Sequence, residues 1–286
     1  MSDEAVATFD EVTDDVCAED LYQTTIEAVS VDGFDAINEA TIARYHSDGF
    51  LAIHNAFTPS EVQAAIDGLL DLIGGKVAGY RGIQYEAGAK NVLETIAPDQ
   101  RQDYVRKLWK MCVAEPRLRA IAEHPKLVAL LKRLIGEPSD LFQDQALLKP
   151  PLMGREKPWH QDNAYFNLPP ETQVVGVWIA LDEATPENGC MYLIPGSHRE
   201  GPVVHFKRRD WQICDTDVAT GRSVVAPLKP GGMLVFHGLL HHGTPPSRSP
   251  QRRRAVQLHY KPVSVQPILP EDRLAVFGSE GKDVTC

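Results

Sequence analysis

Two histidine-containing segments constrain the fold of this chain more than any other feature. The first is His160-Gln161-Asp162, and the second, residues 236–244, contains three histidines, the last of them 80 positions after Asp162. In an extended strand, residues i and i+2 face the same side, so His160 and Asp162 can point into one cavity while Gln161 points away. Two imidazoles and one carboxylate on one face of an octahedral metal leave three positions open, which suits non-haem Fe(II) used for O₂ chemistry. The fold must therefore bring the two segments together.

The third metal ligand is left open by the spacing alone, since His237, His241 and His242 all lie in the second segment. Adjacent His241 and His242 face opposite ways on an extended backbone, so at most one of them binds a metal without a bulge. The other is expected to be structural or to hydrogen-bond to a ligand.

The pattern of short β-prone runs in the second half predicts an antiparallel sandwich or barrel. Turns rich in Pro, Gly, Asn and Asp separate these runs, and no helical pattern lies between them. The runs are residues 174–181, 190–194, 233–236 and 255–260.

The first half is expected to be mostly helical. A helix and a strand are predicted within Ile42–Ile53, and a capping box at Thr58 starts a helix that ends at Gly74-Gly75. Two further helices are predicted, one from near Asp99 and one from Pro125. The fold class is thus mainly β with packed helices (α+β), a jelly-roll barrel with N-terminal helices on one outer face.

The net charge of −10 comes largely from residues 1–40, which are rich in Asp and Glu and contain no Lys or Arg. We expect these residues to form a solvated or loosely docked acidic arm, and residues 41–286 to form a single domain. The balance gives no reason to expect a nucleic-acid partner. No apolar stretch is long enough to span a bilayer, and the arm is not a secretory signal. The five cysteines are scattered, so we expect reduced thiols and a cytoplasmic protein.

Several motifs occur in an order typical of one family. They are Asp48-Gly49-Phe50, Lys149-Pro150-Pro151, Trp159-His160-Gln161-Asp162, Glu187-Asn188-Gly189-Cys190, Pro195-Gly196-Ser197-His198, residues 236–244, and Arg253. On these motifs, roughly residues 40–265 resemble the phytanoyl-CoA dioxygenase family. The resemblance implies a double-stranded β-helix (cupin-like) fold, Fe(II) as the metal, and 2-oxoglutarate and O₂ as co-substrates.

The resemblance also implies residue roles. The distal metal ligand would be His242, the histidine directly before the Gly-Thr pair. Arg253 would bind the distal carboxylate of 2-oxoglutarate together with Thr244, and a guanidinium fork suits such a carboxylate. Trp178 and Gln145 match positions that flank the co-substrate.

Strand alternation places Arg253 and Gln257 on the inner face of one strand, together with Ala255 and His259. Gln257 is therefore a candidate substrate contact. Asn163 and Tyr165, just past Asp162, are candidates for the same cavity.

The resulting expectation is a hydroxylase that oxidises an unactivated C–H bond of a small molecule. Relatives that carry Gly or Ala in place of Asp162 have a coordination site free for halide, so the carboxylate here disfavours halogenation. The alternative is a non-catalytic, metal-binding jelly-roll sensor.

Overall fold

The computed structural model describes residues 7–10 and 16–278. These residues form fifteen strands and six α-helices. In chain order the strands are β1 (Thr8–Phe9), β2 (Ser30–Asp32), β3 (Phe50–His54), β4 (Ile83–Tyr85), β5 (Val105–Trp109), β6 (Ser139–Lys149), β7 (Lys157–His160), β8 (Val175–Ala180), β9 (Met191–Leu193), β10 (His205–Lys207), β11 (Trp211–Ile213), β12 (Val224–Ala226), β13 (Met233–His237), β14 (His242–Thr244) and β15 (Arg253–Pro262). The helices are α1 (Glu39–Asp48), α2 (Pro59–Ile73), α3 (Met111–Ala114), α4 (Pro116–Ala122), α5 (Pro125–Ile135) and α6 (Pro270–Phe277).

Two sheets form the barrel. The larger has nine strands in the order β1-β4-β5-β6-β15-β8-β13-β3-β2, and the smaller has four in the order β12-β9-β14-β7. Strands β10 and β11 form a separate hairpin. The jelly-roll prediction is confirmed, and the small sheet faces the middle of the large one.

Alternation along β15 assigns the two faces of the large sheet to different cores. Val256 and Leu258 pack with buried residues of the helices, including Leu69 of α2 and Leu131 of α5. Ala255 packs instead with the barrel interior, which includes buried side chains of the small sheet. The expected placement of the helices on one outer face is therefore correct, and the inner face is free to build a site.

The helix starting at Thr58 forms as predicted. The Thr58 hydroxyl accepts from the backbone N–H of Glu61, and the Glu61 carboxylate accepts from the N–H of Thr58 at 2.8 Å. The helix predicted to begin near Asp99 is not an α-helix, because residues 98–104 form a 3-10 helix. The strand predicted within Ile42–Ile53 forms as β3, but the first half is less helical than expected, since β4, β5 and β6 also join the large sheet.

The described part of the acidic arm packs against the body of the protein. The Trp159 indole N–H donates to the Leu21 carbonyl at 3.2 Å, and the Tyr22 ring stacks on Trp159 with a centroid distance of 5.5 Å. Strands β1 and β2 come from the same arm and occupy the two opposite edges of the large sheet. Residues 1–6 and 11–15 lie outside the described residues.

Two other expectations are tested here. Cys17, Cys112 and Cys190 are free thiols, as expected. Cys286 lies outside the described residues. Among the described helices, none is both long and apolar enough to span a bilayer.

Candidate active site

Strand pairing in the small sheet joins the two histidine segments. His160 ends β7 and His242 begins β14, and the two residues are direct antiparallel partners. Asp162 follows β7 in a short 3-10 helix, residues 162–165. The His160 and His242 Nε2 atoms lie 3.4 and 3.6 Å from Asp162 Oδ1, and all three side chains are buried. One ligand atom from each residue lies within 4.8 Å of the other two, so the three can bind a single metal ion.

Backbone carbonyls orient both imidazole rings. His160 Nδ1 lies 2.7 Å from the Pro158 carbonyl, and His242 Nδ1 lies 2.9 Å from the Leu240 carbonyl. A ring that donates from Nδ1 keeps its Nε2 lone pair for a metal. Burial lowers the pKa of His242 to about 3, so that ring is neutral at physiological pH. Two imidazoles beside one carboxylate are the donor set that suits Fe(II).

His259 is the site residue that sequence reasoning did not single out. Its Nε2 lies 2.8 Å from Asp162 Oδ2, the carboxylate oxygen farther from the two ligand histidines. The side-chain amide nitrogen of Gln257 lies 3.0 Å from the same ring nitrogen. Burial opposes ionisation of Asp162, but the contacts with His259, His242 and His160 outweigh it and hold its pKa well below the usual range. Strand alternation had already placed His259 on the inner face, and this placement was the sequence feature that pointed to a role in the site.

The two other histidines of the second segment lie elsewhere. The His241 backbone N–H donates to Ser197 Oγ at 2.9 Å, and its side chain is not part of the metal-binding group. His237 Nδ1 accepts from the Leu239 N–H at 3.0 Å, and its ring lies 5.2 Å from that of His198. Adjacent His241 and His242 thus face different surroundings, as expected for an extended backbone.

A cavity of about 140 Å³ opens beside the three ligand residues. Arg253 lines it and is 2% exposed, and its Nη1 donates to the Leu147 carbonyl at 3.1 Å. Its guanidinium carbon lies 5.4 Å from the centre of the Trp178 ring. Within the described chain, Arg253 Nε and Trp178 Nε1 have no hydrogen-bond partner. Burial lowers the pKa of Arg253 to about 10, which leaves the guanidinium charged at neutral pH.

Most of the other expected site residues line the same cavity, namely Thr244, Gln145, Tyr165 and Gln257. Asn163 does not. Its amide nitrogen donates to the carbonyls of Pro170 and Thr172 at 3.0 and 2.9 Å, because the 3-10 turn after Asp162 rotates this residue away. Asn163 therefore holds the neighbouring backbone in place and does not line the cavity.

The sequence model of the family described as phytanoyl-CoA dioxygenase matches residues 45–255, which include every residue of the metal-binding group. The chain belongs to this family. The phytanoyl-CoA dioxygenase domain-containing protein 1 of Danio rerio is 31% identical over 153 residues, 51% of this chain and 53% of that protein. The chain thus spans about half the length of this curated relative.

Solved structures share the fold. One is EctD from S. alaskensis with bound Fe, at a TM-score of 0.65 and 22% identity over 82% of this chain and 80% of that one. Another is SnoK, a non-haem α-ketoglutarate-dependent carbocyclase from nogalamycin biosynthesis, at a TM-score of 0.64 and 20% identity over 87% and 96%. EctD was also crystallised with 2-oxoglutarate and 5-hydroxyectoine. The buried group of His160, Asp162 and His242 has the ligand set that suits iron.

Proposed function

We propose that this protein is an Fe(II)- and 2-oxoglutarate-dependent oxygenase that hydroxylates an unactivated C–H bond of a small molecule. One observation carries the proposal: the His160, Asp162 and His242 group and the buried, charged Arg253 line the same cavity. When bound, the iron with 2-oxoglutarate and O₂ supplies the oxidising chemistry, releasing succinate and CO₂. The chain's own residues bind, orient and enclose the reactants.

Arg253 would bind the distal carboxylate of 2-oxoglutarate. A guanidinium forms two parallel hydrogen bonds with a carboxylate, and its Nε, which lacks a partner within the described chain, is one of the donors available for this. Trp178 lies against the face of the guanidinium and keeps water from it, while Thr244 lines the same cavity and can donate its hydroxyl. Gln145 also lines the cavity and would flank the co-substrate.

Asp162 would direct the reaction towards oxygen transfer, because its carboxylate fills the position that a halide needs. Met191, Phe166 and Trp178 supply apolar cavity wall, which restricts water around the reacting centre. The carbocyclase among the structural neighbours has the same fold, so the fold alone does not fix the outcome of C–H oxidation. We propose hydroxylation as the outcome.

The test is the formation of succinate from 2-oxoglutarate, with Fe(II) and ascorbate, across a broad panel of small molecules. His242→Ala should abolish turnover and sharply weaken Fe(II) binding, because it removes a metal ligand. The neighbouring His241→Ala is the matched control and should keep most of the metal affinity, since its ring lies outside the metal-binding group.

Two results would overturn the proposal. One is tight metal binding with no 2-oxoglutarate consumption and no O₂ uptake, which would indicate a non-catalytic jelly-roll protein. The other is loss of iron from the 241 variant while the 242 variant retains it.

A further inference from the structure

The outer face of the small sheet lies directly behind the metal-binding group. Trp159 and His160 are neighbours on β7, so they face opposite sides of the sheet, and the same holds for His242 and Gly243 on β14. The two histidines line the cavity. Trp159 and Gly243 therefore lie on the outer face, each one residue away from a histidine ligand.

Tyr22 of the acidic arm covers both of these residues. Its ring stacks on that of Trp159, with the centroids 5.5 Å apart and 9° between the planes. Its hydroxyl oxygen lies 2.8 Å from the place that a Cβ atom would take at Gly243. Tyr192, which pairs with Gly243 across β9 and β14, meets the Tyr22 ring edge-on at 5.2 Å. One side chain of the arm thus contacts β7, β14 and β9.

Polar contacts fix Tyr22 in this place. Its hydroxyl donates to Glu156 Oε1 at 2.9 Å, and Arg209 Nε donates to the other oxygen of that carboxylate at 2.7 Å. The carbonyl of the preceding residue, Leu21, accepts the indole N–H of Trp159 at 3.2 Å. Leu21 itself is 3% exposed and packs in the barrel core. Both the Tyr22 ring and the backbone beside it are therefore held in one position.

The separation of the two histidine ligands depends on how β7 and β14 pair. His160 and His242 are direct partners, but the register of the two strands shifts between His242 and Thr244. Strand β7 is also the last strand of the small sheet. A bulged pair at a sheet edge has few regular hydrogen bonds to hold it, whereas a metal site needs its ligands in a narrowly defined geometry. A side chain that contacts both strands limits their relative movement.

We infer that Tyr22 is a positioning residue for the metal-binding group. By packing on Trp159 and Gly243 from the outer face, it holds His160 and His242 at the separation that one metal ion requires. For the identity of the metal, the inference rests on the proposed function. Tyr22 precedes residues 45–255, which carry the family match, so the arm adds a contact from outside that match.

The test compares metal binding by Tyr22→Ala, Tyr22→Phe and Phe34→Ala. Phe34 is the matched control because it belongs to the same arm and its ring also stacks at 5.5 Å, in this case on His124 at the start of α5. Each variant is titrated with Co(II), which replaces Fe(II) without reacting with O₂. The visible spectrum of bound Co(II) depends on the arrangement of its ligands, so one titration reports both affinity and geometry.

Tyr22→Ala should weaken Co(II) binding about tenfold, the lower end of the usual cost of losing a residue that orients a metal ligand, because Tyr22 acts through the strands. It should also change the spectrum of the bound metal. Tyr22→Phe keeps the stacked ring and should keep most of the wild-type affinity. Phe34→Ala should lower the melting temperature of the metal-free protein and leave the affinity and the spectrum unchanged.

Three results would overturn the inference. One is a Tyr22→Ala variant with the affinity and spectrum of the wild type. Another is an equal loss of affinity in Phe34→Ala, which would trace the effect to general stability. The third is an equal loss in Tyr22→Phe, which would assign the effect to the hydroxyl and not to the ring.

Gly243→Ala gives a second measurement that does not depend on the folding of Tyr22→Ala. The new methyl group would meet the Tyr22 hydroxyl at 2.8 Å, and backbone atoms of Lys157 and Trp159 at 3.2 Å. Co(II) binding should weaken, and adding Tyr22→Phe should restore part of it because the hydroxyl is gone. Absence of any restoration would count against the inference.

The outcomes also separate this inference from the proposed function. A wild-type protein that binds metal and shows the Tyr22 effect, but forms no succinate with any compound, would refute the proposed function and leave the role of Tyr22 standing. A wild-type protein that binds neither Co(II) nor Fe(II) would overturn both.

Discussion

Replacing Arg253 with Lys tests the co-substrate site most directly. Lys keeps the positive charge but cannot form the planar fork that pairs with a carboxylate. Arg253 is buried, and one of its nitrogens already donates to the Leu147 carbonyl. A lysine ammonium that keeps this bond has fewer donors left for 2-oxoglutarate, so at least one charge-assisted hydrogen bond is lost.

The magnitude follows from the value of such a bond in a water-poor cavity, about 1.5–3 kcal/mol. At 1.4 kcal/mol per factor of ten, the KM for 2-oxoglutarate should rise roughly 10- to 150-fold. The assay is succinate formation at saturating Fe(II) and saturating prime substrate, with 2-oxoglutarate varied. The measured KM then varies with 2-oxoglutarate and not with the supply of Fe(II) or prime substrate.

The flanking arginines are the matched controls. Arg254 bonds to both oxygens of Asp182 at 2.7–2.8 Å, and Arg252 lies 3.1 Å from Asp103. Both face away from the cavity, so Arg254→Lys and Arg252→Lys should change the KM less than about twofold. A large rise in either control with no change in Arg253→Lys would show that the inner-face register of β15 is misassigned, and the role given to Gln257 would fall with it.

Two further predictions concern the metal-binding group. Asp162→Gly should end hydroxylation and leave iron bound weakly through two imidazoles; hydroxylation near the wild-type rate would place the carboxylate ligand elsewhere. His259→Leu should weaken Fe(II) binding about 10- to 100-fold, the usual cost of losing a residue that orients a metal ligand. Equilibrium Fe(II) titration measures this, and unchanged affinity would show that the 2.8 Å contact with Asp162 does not orient the carboxylate.

The features that were predictable from sequence are those set by short-range rules. The capping box at Thr58 and the alternation along β15 depend on residues a few positions apart, and both hold in the structure. Spacing alone could not identify His242 as the partner of His160, because the second segment contains three histidines. The family resemblance supplied that choice.

The features that were missed depend on long-range packing. The contacts of the arm could not be derived from its acidic composition, because the stacking of Tyr22 on Trp159 joins residues far apart in the chain. His259 was placed on the correct face, yet its contact with Asp162 crosses from one sheet to the other. Asn163 was misplaced because two-residue alternation fails where the chain turns into a 3-10 helix.

The position of the arm at both ends of the large sheet has a consequence for how the chain folds. Unpaired sheet edges invite association with other chains, and here β1 covers β4 while β2 covers β3. These two covering strands precede the strands they cover, but β3 itself pairs with β13, and the central β15 is the last of the described strands in chain order. The sheet that the arm covers is therefore complete only after strands far apart in sequence have paired, and such contacts form slowly. The acidic composition of the arm helps to keep it soluble until its partner strands are in place, since a charged segment stays solvated.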